Sequence, residues 1–303
     1  MANTTLRTVG ILALALLALV ATDPVRAQEQ FPKPEAAAEA FKAATAGFDE
    51  AALRTLFGPG YDQVKSADAD QLQENVARVH AAAQEFLALS PGSDGTVTLI
   101  LGFEAWPFPI PLVKNAAGTW SFDTAAGAEE ITNRRIGENE LKAIETLGAY
   151  VAAQRAYASK PRGNGPLRAF AQKIRSTPGR KDGLYWEDGL DDEESPFGPL
   201  IEDARKREPG TPYHGYYFRI LTAQGPGAPG GAYSYIINGN MVAGFAMIAY
   251  PAAYGNTGIM SFIVNHYGEV YEKDLGRDTA NRATAVTSYN PDASWSLATT
   301  SAR

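Results

Sequence analysis

The chain has 303 residues, 45% hydrophobic and 20% charged, which is enough apolar material for one large core or two smaller ones and too much for a disordered chain. The formal net charge of −7 argues against a nucleic-acid groove or an anionic membrane surface as partner. With no cysteine there is no thiol nucleophile, thiolate zinc site or iron–sulfur cluster.

Residues 1–27 have the pattern of a secretory signal. Arg7 supplies a positive start, residues 9–21 are apolar, and Val25-Arg26-Ala27 places a small residue before the expected cut. The apolar run is short for a membrane span, so the mature protein is expected in the periplasm or outside the cell, with no span after cleavage. A retained membrane anchor is the alternative.

Residues 31–86 are expected to be helical. Pro34 suits a first helical turn, and Ala37, Ala40, Phe41, Ala44 and Phe48 follow helical spacing. Asp49 is placed to cap a second helix that stops at Gly58-Pro59-Gly60. Asp68 or Asp70 is placed to cap a third, with Leu72, Val76, Val79, Ala83 and Phe86 on one face. Residues 90–95 read as a turn and 96–101 as a strand. In 106–113 three alternating prolines withhold their ladder donors, which predicts an edge or a bulge. Residues 119–123 alternate like a final half-buried strand. Three helices followed by a bent antiparallel sheet resemble the cone of the nuclear-transport-factor-2-like (NTF2-like) superfamily. That resemblance implies a fold and, at most, a small apolar ligand lined by Trp106, Phe108 and Trp120.

Residues 127–158 form the longest helical pattern, with Ile131, Leu141, Ile144, Leu147, Val151 and Ala158 on one stripe and Tyr150 and Ala152 beside it. Unbroken, it would run about 48 Å at roughly 1.5 Å per residue. Gly137 is the weak point, either inside the helix or as the cap of a shorter one. Residues 160–214 read as an irregular insertion, with short helices at 167–174 and 199–205. Residues 215–276 read as an antiparallel meander of four or five strands. There 216–221 is expected to pair with 233–237 across a Gly/Pro-rich loop, and 260–264 with 269–273 as a hairpin. Tyr289 and Trp295 suggest that the tail, 277–303, docks back onto the body. The expected organisation is thus α+β: a signal at 1–27, a helical and β domain at 28–126, and a long helix with an antiparallel sheet at 127–303.

Several strings, 106–113, 134–141, 182–186, 195–200 and 255–262, together resemble the exported bacterial proteins catalogued as domain of unknown function 2950. The resemblance implies no activity. The long helix, a loop, 215–218, 249–251, 257–262 and a hairpin closing on 268–271 are similar to type IV pilin-like and pseudopilin globular domains. The chain departs from pilins where their apolar anchor would be, because Arg134, Arg135 and Glu138 are charged. A detached pilin-like domain is the better reading.

Catalytic signals are sparse. His80, His214 and His266 have no metal-ligand spacing, and no cofactor motif is present. A hydrolase site near His214 and His266, or a triad of Ser261, His266 and Asp274, would need a geometry that spacing does not supply. The acidic run 187–194 lacks the spacing of a calcium loop and reads first as a solvated charge run. The loop 225–231 lacks the strand–loop–helix context of a phosphate cradle. Arg134, Arg135 and Glu138 are either helix-surface ion pairs or a structural junction, in which a buried arginine fork ties main-chain carbonyls between the halves. The expectation is a non-catalytic envelope protein that serves assembly, scaffolding or binding of an envelope protein partner.

Overall fold

The computed structural model describes residues 27–162, 166–187, 193–197 and 210–299. The signal-like segment, apart from Ala27, and the expected helix at 199–205 lie outside them. The chain divides into two compact units, Met1–Ala125 and Ala126–Arg303.

The first unit begins with α1 (Pro34–Thr45), α2 (Glu50–Phe57), a 3-10 turn at Gly58–Gly60, α3 (Tyr61–Val64) and α4 (Ala69–Glu85). Pro34 opens α1, where its missing N–H costs nothing. Asp49 and Asp68 accept the orphan amides of Ala52 and Gln71, so Asp68 is the cap of α4. The sheet follows: β1 (Leu87–Pro91), β2 (Val97–Leu101), β3 (Trp106–Pro107), β4 (Leu112–Lys114) and β5 (Trp120–Phe122), in the order β1-β2-β4-β5, with β3 also on β2. The expected turn at 90–95 starts later, because Ser90 and Pro91 extend β1 into a hairpin with β2. Ile100 faces Pro107 while Val97 faces Leu112. The Pro-rich strand therefore carries extra residues as a bulge between two stretches of ladder. Phe41, Phe57, Phe108 and Phe122 fill the core between helices and sheet, with Leu99, Leu101 and Leu112 beneath them.

α5 (Thr124–Ala158), whose first two residues fall in the first unit and the rest in the second, is one continuous helix of 35 residues that runs through Gly137, about 52 Å at roughly 1.5 Å per residue. Its buried stripe is Ala143, Leu147, Tyr150, Val151, Gln154 and Tyr157. This is rotated from the expected stripe. Leu141 and Ala152 are exposed, because the helix turns its polar Gln154 inward and its packing centre falls on Tyr150 rather than beside it.

The strands after α5 are β6 (Tyr216–Leu221), β7 (Ala223–Gln224), β8 (Tyr233–Ser234), β9 (Ile236–Ile237), β10 (Asn240–Met241), β11 (Ala246–Pro251), β12 (Met260–Asn265), β13 (Val270–Asp274) and, beyond α6 (Thr279–Ala285), β14 (Ser296–Leu297). The main sheet has the antiparallel order β14-β13-β12-β11-β6. Two expectations fail here. First, β6 pairs with β11, not with 233–237, whose residues form two short ladders, β7 with β8 and β9 with β10. β11 and β12 are buried almost throughout and take the two-sided centre. β6 is only partly buried along its middle and takes an edge. Second, residues 167–174 are irregular, with one isolated bridge at Phe170, not helical. Phe170 N–H donates to Met241 C=O, and both main-chain groups of Ala171 are taken by Gln154. A helix would have to give up those bonds.

Candidate functional site

Phe108 stands 4.7 Å from the Phe41 ring and 6.3 Å from Phe57, inside the packed core of the first unit. Trp106 rests edge-on against it, at 6.1 Å, and is exposed. Trp120 is half-buried beneath the Lys114 ammonium, 6.0 Å from the ring centre, and its main chain bridges Phe31 in both directions. The structure thus joins Trp106 to Phe108, with Phe108 committed to ring packing.

On α5, Arg134 pairs with Glu130 one turn back, at 2.7 Å. Arg135 is exposed; its Nε donates to Asn256 C=O at 3.2 Å and its Nη2 to the Asn256 side-chain oxygen. Glu138 is exposed. Asn139 donates to Thr257 C=O, and the Glu140 carboxylate accepts from two successive amides, Ile259 at 2.9 Å and Met260 at 3.0 Å. Two of the strings singled out in the sequence, 134–141 and 255–262, therefore meet. Gly258 completes the contact. A Cβ there would lie 2.1 Å from the Tyr216 hydroxyl, which donates to Met260 C=O. Burial pushes the Tyr216 phenol well above its ordinary value.

The histidines do not assemble. Ladder register puts Tyr216, two residues after His214, opposite Pro251, while Leu221 and Asn265 flank Ala246 at the other end of β11. The five steps between the six residues of β6, at roughly 3.3 Å each, put about 17 Å between the two ends. His214 packs on Tyr213 and His266 on Tyr267. His80 meets the Thr45 hydroxyl and Gln84. Ser261 is fully buried near the opposite end of β12 from His266, and Asp274 accepts from Tyr254, so the triad does not form. His266 Nδ1 is buried without a partner, crowded by Gly244, where an added Cβ would come within 2.7 Å. Burial lowers the imidazole below its ordinary value.

In the insertion the string 182–186 meets the described residues 195–197 of the next string, as Phe197 N–H donates to Leu184 C=O. Of the acidic run, 188–192 lies outside the described residues. Glu193 takes a bidentate Arg162 fork at 2.7 and 2.9 Å, with Lys160 and Lys181 beside it. Arg162 foremost, then the lysines, hold that carboxyl down at about 2. The Arg162 guanidinium in turn lies over Tyr157 and Trp186. Among the described residues no group of three His, Asp or Glu is placed to hold a metal ion, and no helix is long and apolar enough to cross a membrane.

Several contributors gave no readable signal. Arg219 donates to the carbonyls of Ala283 and Val286, and Arg155 to that of His266. Gln154 was the one visible clue, a polar residue at a buried helical spacing. The tail encloses a cleft of about 250 Å³ between Ile263 of the sheet and Trp295.

A family model described as "Protein of unknown function (DUF2950)" matches residues 28–298. No curated protein and no solved structure matches the chain.

Proposed function

We propose, from the premise that the chain belongs to the DUF2950 family, that it is an exported cell-envelope protein with a non-catalytic assembly, scaffolding or protein-interaction role. One observation carries this reading. Glu140, Arg135, Arg155 and Arg219, four charged side chains of the second unit, all end on main-chain groups. Charges used this way hold loops in place; a catalytic acid, base or oxyanion donor has to face a reacting atom instead. Export rests on the pattern of residues 1–27, and the bacterial envelope on the resemblance to exported bacterial proteins.

The finer fold readings belong to the same proposal. Helices followed by a bent, bulged antiparallel sheet support an NTF2-like cone for the first unit. A long helix packed by its C-terminal half on an antiparallel sheet supports a detached pilin-like domain for the second. The test is to express the full chain with its own leader and a C-terminal affinity tag, cross-link in intact cells, and identify co-purified proteins. The same preparation is screened against esters, peptides, phosphoesters and glycosides. A reproducible envelope partner and no turnover are expected. Turnover without any captured partner would overturn the proposal.

A further inference from the structure

We infer that the cleft enclosed by the C-terminal tail binds one ring of a neutral sugar. The inference stands on the cleft and does not depend on the envelope role. Ile263, fully buried on β12, lines the cleft, and Trp295, half-buried, supplies an aromatic surface. Thr287, Ser288, Asn290 and Asp292 supply the polar lining.

Those polar groups are oriented beforehand. Asn290 Oδ1 accepts from Gly227 N–H at 2.7 Å, which fixes the amide and leaves its Nδ2 donors outside that bond. Asp292 Oδ1 accepts from Ser294 N–H at 2.9 Å and from the Ser294 hydroxyl, leaving Oδ2 outside both bonds. These bonds, with a smaller contribution from Lys273, keep the Asp292 carboxyl ionised below its ordinary range. Lys273 donates to Ser294 Oγ at 2.7 Å, and its ammonium sits 5.8 Å from the Trp295 ring centre.

The ligand class follows from this set. Asp292 is the charged residue among the lining side chains, with the Lys273 ammonium nearby on Ser294 and the Trp295 ring, so the cleft disfavours anions and its carboxylate is available as an acceptor for hydroxyls. A flat aromatic beside an amide donor, a carboxylate acceptor and two hydroxyls suits a ligand with an apolar C–H face and hydroxyls around its rim. The volume of about 250 Å³ is below the roughly 300–1,000 Å³ of pockets for drug-sized molecules, which favours a single ring. The walls are also held rigid. Arg219 pins Ala283 and Val286, Tyr289 exchanges main-chain bonds with Ala223 and Gly225, and β14 pairs with β13. Little ordering is left to be lost on binding.

The full chain is titrated with glucose, N-acetylglucosamine and a short uncharged peptide, followed by tryptophan fluorescence and saturation-transfer NMR. At least one sugar should bind saturably with Kd of about 1 mM, weakened about tenfold by Trp295→Ala and about threefold by Asp292→Asn. Trp295→Phe keeps an aromatic ring against the tail and should keep part of the affinity, which separates loss of the platform from loosening of the tail. No saturable signal with either sugar up to about 50 mM, more than tenfold above that Kd, overturns the inference. So does binding that all three variants leave unchanged, or saturable binding of the peptide alone.

Discussion

The two units bury different chemistry. The first closes over four mutually touching phenylalanines, and among its described residues the buried polar ones are Thr45, on the carbonyls of Phe41 and Lys42 and on His80, and Thr124, on the carbonyl of Phe57. The second buries Gln154, Gln224, Ser261 and Asn265 in or beside its core. Gln154 alone joins the Tyr150 hydroxyl and both main-chain groups of Ala171, and Tyr235 donates to Gln224. Both solutions are stable for different reasons. Apolar packing answers to volume and forgives a change of shape; a buried polar network answers to its partners and forgives nothing that removes one. Among the described residues between α5 and β6, Gln154 acts as a polar tether, holding Ala171 through both of its main-chain groups.

The largest effect should come from emptying the ring cluster. Phe41→Ala is expected to cost about 3–5 kcal/mol, the range for a buried Phe truncation. Chemical denaturation would read the loss, and hydrogen exchange should localise it to α1 and β2. A cost under about 1.5 kcal/mol, typical of a volume-conserving swap, would mean that the cluster is not the packed centre of the first unit.

The next effect isolates partners from volume. Gln154→Leu keeps roughly the side-chain size but strands the main-chain groups of Ala171, at about 1–3 kcal/mol for each buried group left unpaired. Exchange at Ala171 and Phe170 should accelerate more than in the helix around residue 154. A neutral or stabilising result would erase the contrast between the two cores.

A third change alters neither kind of core. Gly137 lies inside α5, and a Cβ added there meets nothing within 4 Å. Gly137→Ala should stabilise by about 0.5–1 kcal/mol through helix propensity alone, read as a raised denaturation midpoint. Destabilisation would show that the helix does not run through this position in solution.

The smallest effect is a pH dependence carried by His266. Burial lowers its folded pKa, so the folded state binds fewer protons than the unfolded one. Its full contribution is present above the unfolded value of about 6.5 and is lost as pH falls from there through the folded value. The midpoint should therefore decline as the solution is acidified below about 6.5, and His266→Gln should flatten that decline. An unchanged slope in the variant would remove His266 from the polar side of the comparison.

Local rules were legible wherever neighbours in the chain decide the outcome. Pro34 and Asp49 marked helix starts, alternation marked β5, and three prolines marked the bulge after β3. Legibility ended where partners come from far along the chain. Residues 167–174 read as a short helix, yet Met241 and Gln154 hold them out of one. The stripe through Leu141 looked as good as the real one until packing against the sheet selected the face centred on Tyr150. The candidate sites divide the same way. Residue types left a Ser261, His266 and Asp274 triad open, and only ladder register could place His214 and His266 at opposite ends of β11 and Ser261 away from His266.

By itself, then, the sequence determined the α+β class, the long helix and the hairpin of β12 with β13, because helical and strand periodicity and turn chemistry are local. The tertiary structure alone decided which strand flanks β11, that α5 continues through Gly137, and that Glu140, Asn139 and Arg135 close on residues 256–260. Those outcomes are comparisons between competing long-range contacts. Burial of a strand on two faces, or satisfaction of a buried amide, has a value only once the rest of the chain is in place.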